Sequence, residues 1–206
     1  MKQQNLELIY VWDAYCGWCH GFSNSLKEFH ENHPELPLSV LSGGLFFSQP
    51  IGNFPHIPEA NQRIHQLTGA EFGPAYQSLL EDGTFVMDSQ KAAIGFAALR
   101  SLAPDSTYYF ASAMQQAFYH DGKSLSDPET YREIAAANGL DPEAVVAQMV
   151  DEAFKKEALS DFAKVRQLGV NGYPTLLLKK GKELIAFGGA AMNAEKLEAR
   201  FESFTS

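Results

Sequence analysis

Residues 6–12 are apolar at every position except Glu7, with Leu6, Leu8, Ile9, Tyr10, Val11 and Trp12 in near-continuous order. A run of that kind predicts a strand covered on both faces. The period then changes. Phe22, Leu26 and Phe29 recur at helical spacing and predict a helix from about residue 16 to 32 or 33, ended before Pro34. A second apolar run at 36–41, closed by Gly43-Gly44, is the next strand. The first 45 residues thus read as a βαβ unit with a parallel strand pair.

From about residue 57 to 169 the pattern carries helix punctuation and almost no strand signal. Asp88-Ser89 precedes Ala92, Ala93, Ile94, Phe96, Ala97 and Leu99 and suits a helix cap. Asp127-Pro128-Glu129 and Asp141-Pro142-Glu143 each place a capping acid before a proline at the first helical position. Gly139 suits the end of the helix between them, and Gly169 the end of a longer helix from about residue 152. Five or six helices are expected, with Ala-rich faces in close contact. Strand patterns return at 174–178 and 183–187, flanking Lys180-Gly181 as a hairpin. Asn193 can cap a last helix through Leu197, Phe201 and Phe204. The expected class is α/β: a mixed sheet built βαβ … ββα from residues 1–56 plus 170–206, with a large helical domain, 57–169, inserted between its halves.

The 206 residues, 45% hydrophobic and 20% charged, are ordinary globular material. The net charge of −9 argues against nucleic acid and against an anionic membrane surface as partners. No apolar run approaches the ~20 residues needed to span a bilayer. With a strand starting at residue 6, Met1 to Asn5 leave no room for a signal peptide. The expected compartment is therefore the cytoplasm, which is reducing.

Only two cysteines are present, Cys16 and Cys19. Such a spacing arises by chance in roughly 1% of chains this long, so the pair reads as placed for chemistry. As a staple it would close a loop too short to constrain the unfolded chain. Cys16-Gly17-Trp18-Cys19 sits where a strand feeds a helix, and there free N–H groups and the helix dipole favour a thiolate, the reactive species. Cys19, one turn on, is placed to attack a mixed disulfide on Cys16. Gly17 leaves the approach open. The helix carries Cys19 inward, so an exposed nucleophile and a buried resolving thiol are expected. Half of a zinc site is the rival reading. Zinc wants four ligands, and His20 is adjacent, but His30, His33, His56, His65 and His120 form no H-x3-5-H pair and there is no second cysteine pair. No metal and no cofactor are expected.

Gly169-Val170-Asn171-Gly172-Tyr173-Pro174-Thr175 resembles the segment leading to the cis-proline of thioredoxins. Asp13-Ala14-Tyr15-Cys16-Gly17-Trp18-Cys19, with a helical block between the two motifs, is similar to the DsbA family. Within it the chain is most similar to the cytoplasmic branch of predicted protein-disulfide isomerases, which includes FrnE-like proteins. The resemblance covers essentially the whole chain. It implies a thioredoxin-like fold and thiol–disulfide exchange, with Tyr173-Pro174 as a cis-proline loop against Cys16 that pairs with extended substrate. An ordinary trans proline starting a strand is the plain alternative.

Two departures from the family pattern matter. Tyr10 stands where thioredoxins and many DsbA proteins keep a buried acid. Asp13 is a candidate substitute, and an exposed loop-end acid is the alternative. Gly17-Trp18 replaces the Pro-His of strongly oxidising relatives, and His20 on a helix points elsewhere, so a less oxidising couple is expected. Trp18 reads as rim of the thiol site or as packing against Tyr15, and His20 as a surface residue rather than a catalyst. Gly43-Gly44-Leu45-Phe46-Phe47 reads as groove wall or as a strand end with buried phenylalanines.

The expected function is a thiol–disulfide oxidoreductase in the reductase or isomerase direction. Its partners would be protein or peptide thiols and disulfides, with glutathione or a thioredoxin system for recycling, and a monomer is favoured. Two other readings stay open. One is a glutathione-dependent isomerase of the 2-hydroxychromene-2-carboxylate isomerase or kappa transferase type, although those carry serine where this chain has Cys16. The other is a peptide-binding chaperone using Phe46, Phe47 and Tyr173.

Overall fold

The computed structural model describes residues 6–205. The expectation that Met1 to Asn5 hold no signal peptide lies outside the described residues. Strand β1 (Leu6–Trp12) lies inside a sheet with β2 (Leu38–Ser42), β5 (Thr175–Lys180) and β6 (Glu183–Gly188), in the order β2-β1-β5-β6. β1 runs parallel to β2, with Val11 opposite Leu41, and antiparallel to β5, with Val11 opposite Thr175.

The near-continuous apolar run of β1 is explained by what covers it. Leu8, Tyr10 and Trp12 face one core with Phe22, Leu26 and Phe29 of helix α1 (Gly17–Asn32). Ile9 and Val11 face a second cluster with Val165, Val170 and Leu177. Phe22, Leu26 and Phe29 are fully buried, and burying each contributes about 1.5–3 kcal/mol. The last helix, α10 (Ala194–Thr205), closes on α1 through Phe29 and Phe201, their rings 5.7 Å apart. As expected, Asn193 caps it, accepting a hydrogen bond from the Lys196 N–H at 3.0 Å.

Between β2 and β5 the chain folds into eight α-helices rather than five or six: α2 (Ile57–Thr68), α3 (Pro74–Asp82), α4 (Ser89–Leu102), α5 (Thr107–Tyr119), α6 (Pro128–Ala137), α7 (Pro142–Val150), α8 (Glu152–Ala158) and α9 (Ser160–Gln167). Asp88, Asp127 and Asp141 accept hydrogen bonds from first-turn N–H groups of α4, α6 and α7. The single long helix expected from residue 152 breaks at Leu159, so that α8 lies on α4 while α9 lies on β2. That bend sends Asp161, 1% exposed, to the Arg100 guanidinium at 2.7 Å, and Arg100 also donates to the Val40 carbonyl at 3.0 Å. Two short strands that the pattern did not announce, β3 (Gln49–Pro50) and β4 (Val86–Met87), pair with each other. The large apolar core is continuous from the sheet into the helices, taking in Phe96, Phe118 and Tyr131 beside Trp12 and Tyr15. No described helix is long and apolar enough to cross a membrane.

Candidate active site

β1 and β2 end, and β5 begins, at the same margin of the sheet, and the loops there carry the chemistry. Asp13 to Tyr15 turn out of β1, with the Cys16 N–H bonded to the Asp13 carbonyl at 3.1 Å. Cys16 is the N-cap of α1, with extended backbone, and its Sγ accepts the Cys19 N–H at 3.3 Å. The first turn of α1 holds no acidic residue, and Cys16 sits at the positive end of its dipole. Cys16 is 5% exposed and Cys19 fully buried. The expected exposed thiol at Cys16 is not found: both thiols are buried, Cys19 the deeper of the two. Burial first, then the hydrogen bond and charge of Cys16, push the Cys19 thiol well above its ordinary pKa. The Cys19 thiol therefore holds its proton at neutral pH.

Tyr173 comes from the far end of the chain. Its peptide bond to Pro174 is cis, and its carbonyl oxygen accepts the Cys16 thiol at 3.5 Å. Two glycines make room for this loop. A Cβ at Gly43 would lie 2.2 Å from Tyr173 Cζ, and a Cβ at Gly189 would lie 2.5 Å from the Pro174 carbonyl oxygen. The Gly44 N–H donates to the Tyr173 hydroxyl at 3.3 Å. Gly43-Gly44 is thus the seat of the Tyr173 ring, a role neither sequence reading of that dipeptide contained. Beyond it Phe46 is buried, whereas Leu45 and Phe47 are exposed.

Asp13 is 1% exposed, so it is not the loop-end surface acid that was one of its two readings. Its Oδ1 accepts the Tyr15 N–H at 2.9 Å and its Oδ2 the Leu45 N–H at 3.0 Å. Burial raises its pKa to about 6, while Ser89 and those two N–H groups draw it down. Tyr10, in the place of the missing acid, packs on Phe22 with ring centroids 6.0 Å apart. Its buried hydroxyl has no hydrogen-bond partner among the described residues. Burial, then a neighbouring Cys19 thiolate, hold that hydroxyl well above its ordinary pKa, which removes it as a base.

His20 is half-buried rather than on the open surface. It stacks on Tyr119 at 4.8 Å and its Nε2 donates to the Glu71 carbonyl at 2.9 Å, while burial lowers its pKa. Trp18 is half-buried and walls a cavity of about 250 Å³ over Cys16, together with Leu45, Asn61, Tyr119 and Tyr173. Tyr15 packs edge-on against Phe46, Phe85 and Phe118. Gly17 lets α2 approach: a Cβ there would meet Ile64 Cδ1 at 3.0 Å and Asn61 Oδ1 at 3.4 Å. Asn61 and Tyr119 were missed from sequence. A polar residue three positions before the buried Ile64 on α2 was the one available signal. No group of three or more His, Cys, Asp or Glu side chains able to hold a metal ion occurs among the described residues.

Residues 7–200 match the model of the family described as DSBA-like thioredoxin domain. Among solved structures, the chain is similar to the cytosolic disulfide reductase DsbM from Pseudomonas aeruginosa, at 26% identity over 97% of each chain with a TM-score of 0.81. The same protein solved with GSH matches at 26% identity and a TM-score of 0.79, over 97% of this chain and 98% of that one. A Nitrosomonas europaea protein assigned to the protein disulfide isomerases shares the fold at 20% identity, with 97% of each chain covered and a TM-score of 0.85. Against curated protein sequences the chain finds no significant match.

Proposed function

The chain belongs to the DSBA-like thioredoxin-domain family of disulfide oxidoreductases, and from that membership we propose that it reduces disulfides, with Cys16 as nucleophile and Cys19 as resolving thiol. The observation that carries the reading is the placement of the Cys16 thiol at a helix N-terminus, 3.5 Å from the carbonyl of the residue before cis-Pro174. A Cys16 thiolate attacks one sulfur of a substrate disulfide, forming a mixed disulfide and releasing the other sulfur as a thiolate, which takes a proton. Cys19 gives up its proton and attacks Cys16 Sγ, releasing the second substrate thiol and leaving a Cys16–Cys19 disulfide. Two electrons and two protons pass to the substrate, and a second thiol reductant restores the pair.

Asp13 is the group in this reading that serves the Cys19 proton. It is the buried carboxylate of the site, and with a pKa of about 6 it is mostly ionised at neutral pH. Tyr173 and Pro174 present backbone to an extended substrate, and Trp18 shapes the entrance over Cys16. Glutathione is the favoured recycling thiol, supported by the GSH complex of a relative 26% identical. The reductase direction, and the cytoplasm as the place of action, are supported by the cytosolic reductase that the chain resembles and by the absence of an imidazole at Gly17 or Trp18 to hold the Cys16 thiolate.

The test is a pair of single substitutions assayed on a disulfide-linked peptide. Cys16→Ser abolishes turnover, and Cys19→Ser accumulates a covalent mixed disulfide on Cys16, visible as an added peptide mass. Full turnover by Cys16→Ser would contradict the reading.

A further inference from the structure

A second and larger concavity, about 760 Å³, opens between α2 and α3. That volume lies within the roughly 300–1,000 Å³ typical of ligand sites. It adjoins the thiol cavity, because Asn61 lines both. The Asn61 side chain is fixed there, its Oδ1 beside Gly17 and its Nδ2 donating to the Tyr76 hydroxyl at 3.2 Å.

The chemistry of the groove differs from that of the thiol cavity. Pro58, Phe72, Pro74 and Leu80 give it an apolar body. Glu71 and Glu81 stand exposed at its rim, and no lysine or arginine is among its lining residues. A doubly carboxylated tripeptide such as glutathione, anionic at neutral pH, is repelled by that rim. A polypeptide with an apolar side chain and a neighbouring lysine or arginine is complementary to it. Helix α2 stands between the two cavities, and a substrate chain, advancing about 3.4 Å per residue when extended, would cross it at Asn61.

We propose that the groove between α2 and α3 seats the chain flanking the reactive cysteine of a protein substrate, an apolar side chain within it and a basic residue at the Glu71–Glu81 rim. The proposal rests on the reductase reading and names the carrier of the disulfide: a cationic, apolar polypeptide rather than a small anionic thiol.

The experiment compares two peptide disulfides, alike except for Leu-Lys or Glu-Glu beside the cysteine, and the neutral bis(2-hydroxyethyl) disulfide. The wild type is expected to prefer the Leu-Lys peptide. The exposed charge reversals E71K and E81K together remove that preference, lowering its kcat/KM about tenfold at low salt, and the effect fades at 1 M salt, where screening is nearly complete. Gln77→Trp, which fills the groove from an exposed position, lowers turnover of both peptides and leaves the neutral disulfide unchanged. Equal loss on all three substrates in the charge-reversed variant, or no change on any, overturns the groove. Failure of the wild type to reduce even the neutral disulfide overturns the reductase reading, and the groove with it.

Discussion

The thiol of Cys16 lies 3.5 Å from the carbonyl oxygen of Tyr173, 157 residues further along the chain. The sheet makes that meeting. Val11 pairs with Thr175 in antiparallel register and with Leu41 in parallel register, so the chain leaves β1 and β2 where it enters β5. That pairing brings the chain segments carrying Cys16, Gly43 and Tyr173 to one place. In the proposed reading the Tyr173 loop guides a substrate to that thiol.

Gly43 is the tightest steric condition in the site. In Gly43→Ala the new methyl would overlap the Tyr173 ring, 2.2 Å from Cζ, and force it away. We expect reductase turnover to fall by about 10²-fold, the scale of a 1 Å misplacement at a reacting centre. Stability should fall by about 1–3 kcal/mol, the scale of overpacking. Steady-state kinetics and urea unfolding separate the two, and unaltered turnover would show that the Tyr173 position is immaterial.

Asp13 gives a pH signature in both stability and rate. Its folded pKa of about 6 lies above the 3.8 of a free carboxyl, so the native state holds the proton more tightly. Stability from this group is full below pH 4 and declines as pH rises to about 6, by up to about 3 kcal/mol. Asp13→Asn flattens unfolding stability across that window. If Asp13 takes the Cys19 proton, the resolving rate rises through pH 6 in the wild type, and the substitution removes that limb. Rapid-mixing release of the second substrate thiol at pH 5 to 8 checks this.

Arg100 ties the helical block to the sheet, bonding Asp161 at 2.7 Å and the Val40 carbonyl at 3.0 Å. Removing it leaves the 1%-exposed Asp161 with the Lys164 ammonium at 3.0 Å as its remaining ion-pair partner. Arg100→Ala is expected to destabilise by about 3 kcal/mol, at the lower end of the cost of breaking a buried pair. Chemical denaturation measures it, and a change below about 0.5 kcal/mol would mean that Lys164 suffices.

His20 is turned to the Glu71 carbonyl and to Tyr119. His20→Ala should therefore shift the reduction potential of the pair by less than about 30 mV, equivalent to 1.4 kcal/mol. A larger shift in redox titration would show that the imidazole acts on Cys16 after all.

Much of this was legible in the sequence because the signals were local and physical. The near-continuous apolar run at 6–12 foretold a strand covered on both faces, and the Asp-Pro pairs at 127 and 141 marked helix starts. What escaped lacked such signals. Nothing resembling glycine or proline marks the break at Leu159, and β3 and β4, two residues each, are too short to show a period. Asp13 has two readings in the sequence, a substitute for the missing buried acid and an exposed loop-end acid, because no local signal decides between them. Asp13 is buried only because the Tyr15 and Leu45 N–H groups come to it, and the Leu45 loop is 32 residues away. Gly43 reads as groove wall or strand end until the Tyr173-Pro174 loop lies against it.

The reduction potential of the Cys16–Cys19 couple, titrated in glutathione buffers, tests the account most directly. Trp12 in the core and Trp18 beside Cys16 supply the fluorescence readout. The account predicts a value near or below about −270 mV, the thioredoxin range, fitting a reductase. A value near −120 mV, the range of a strong oxidant, or no internal disulfide at any buffer ratio, would contradict it.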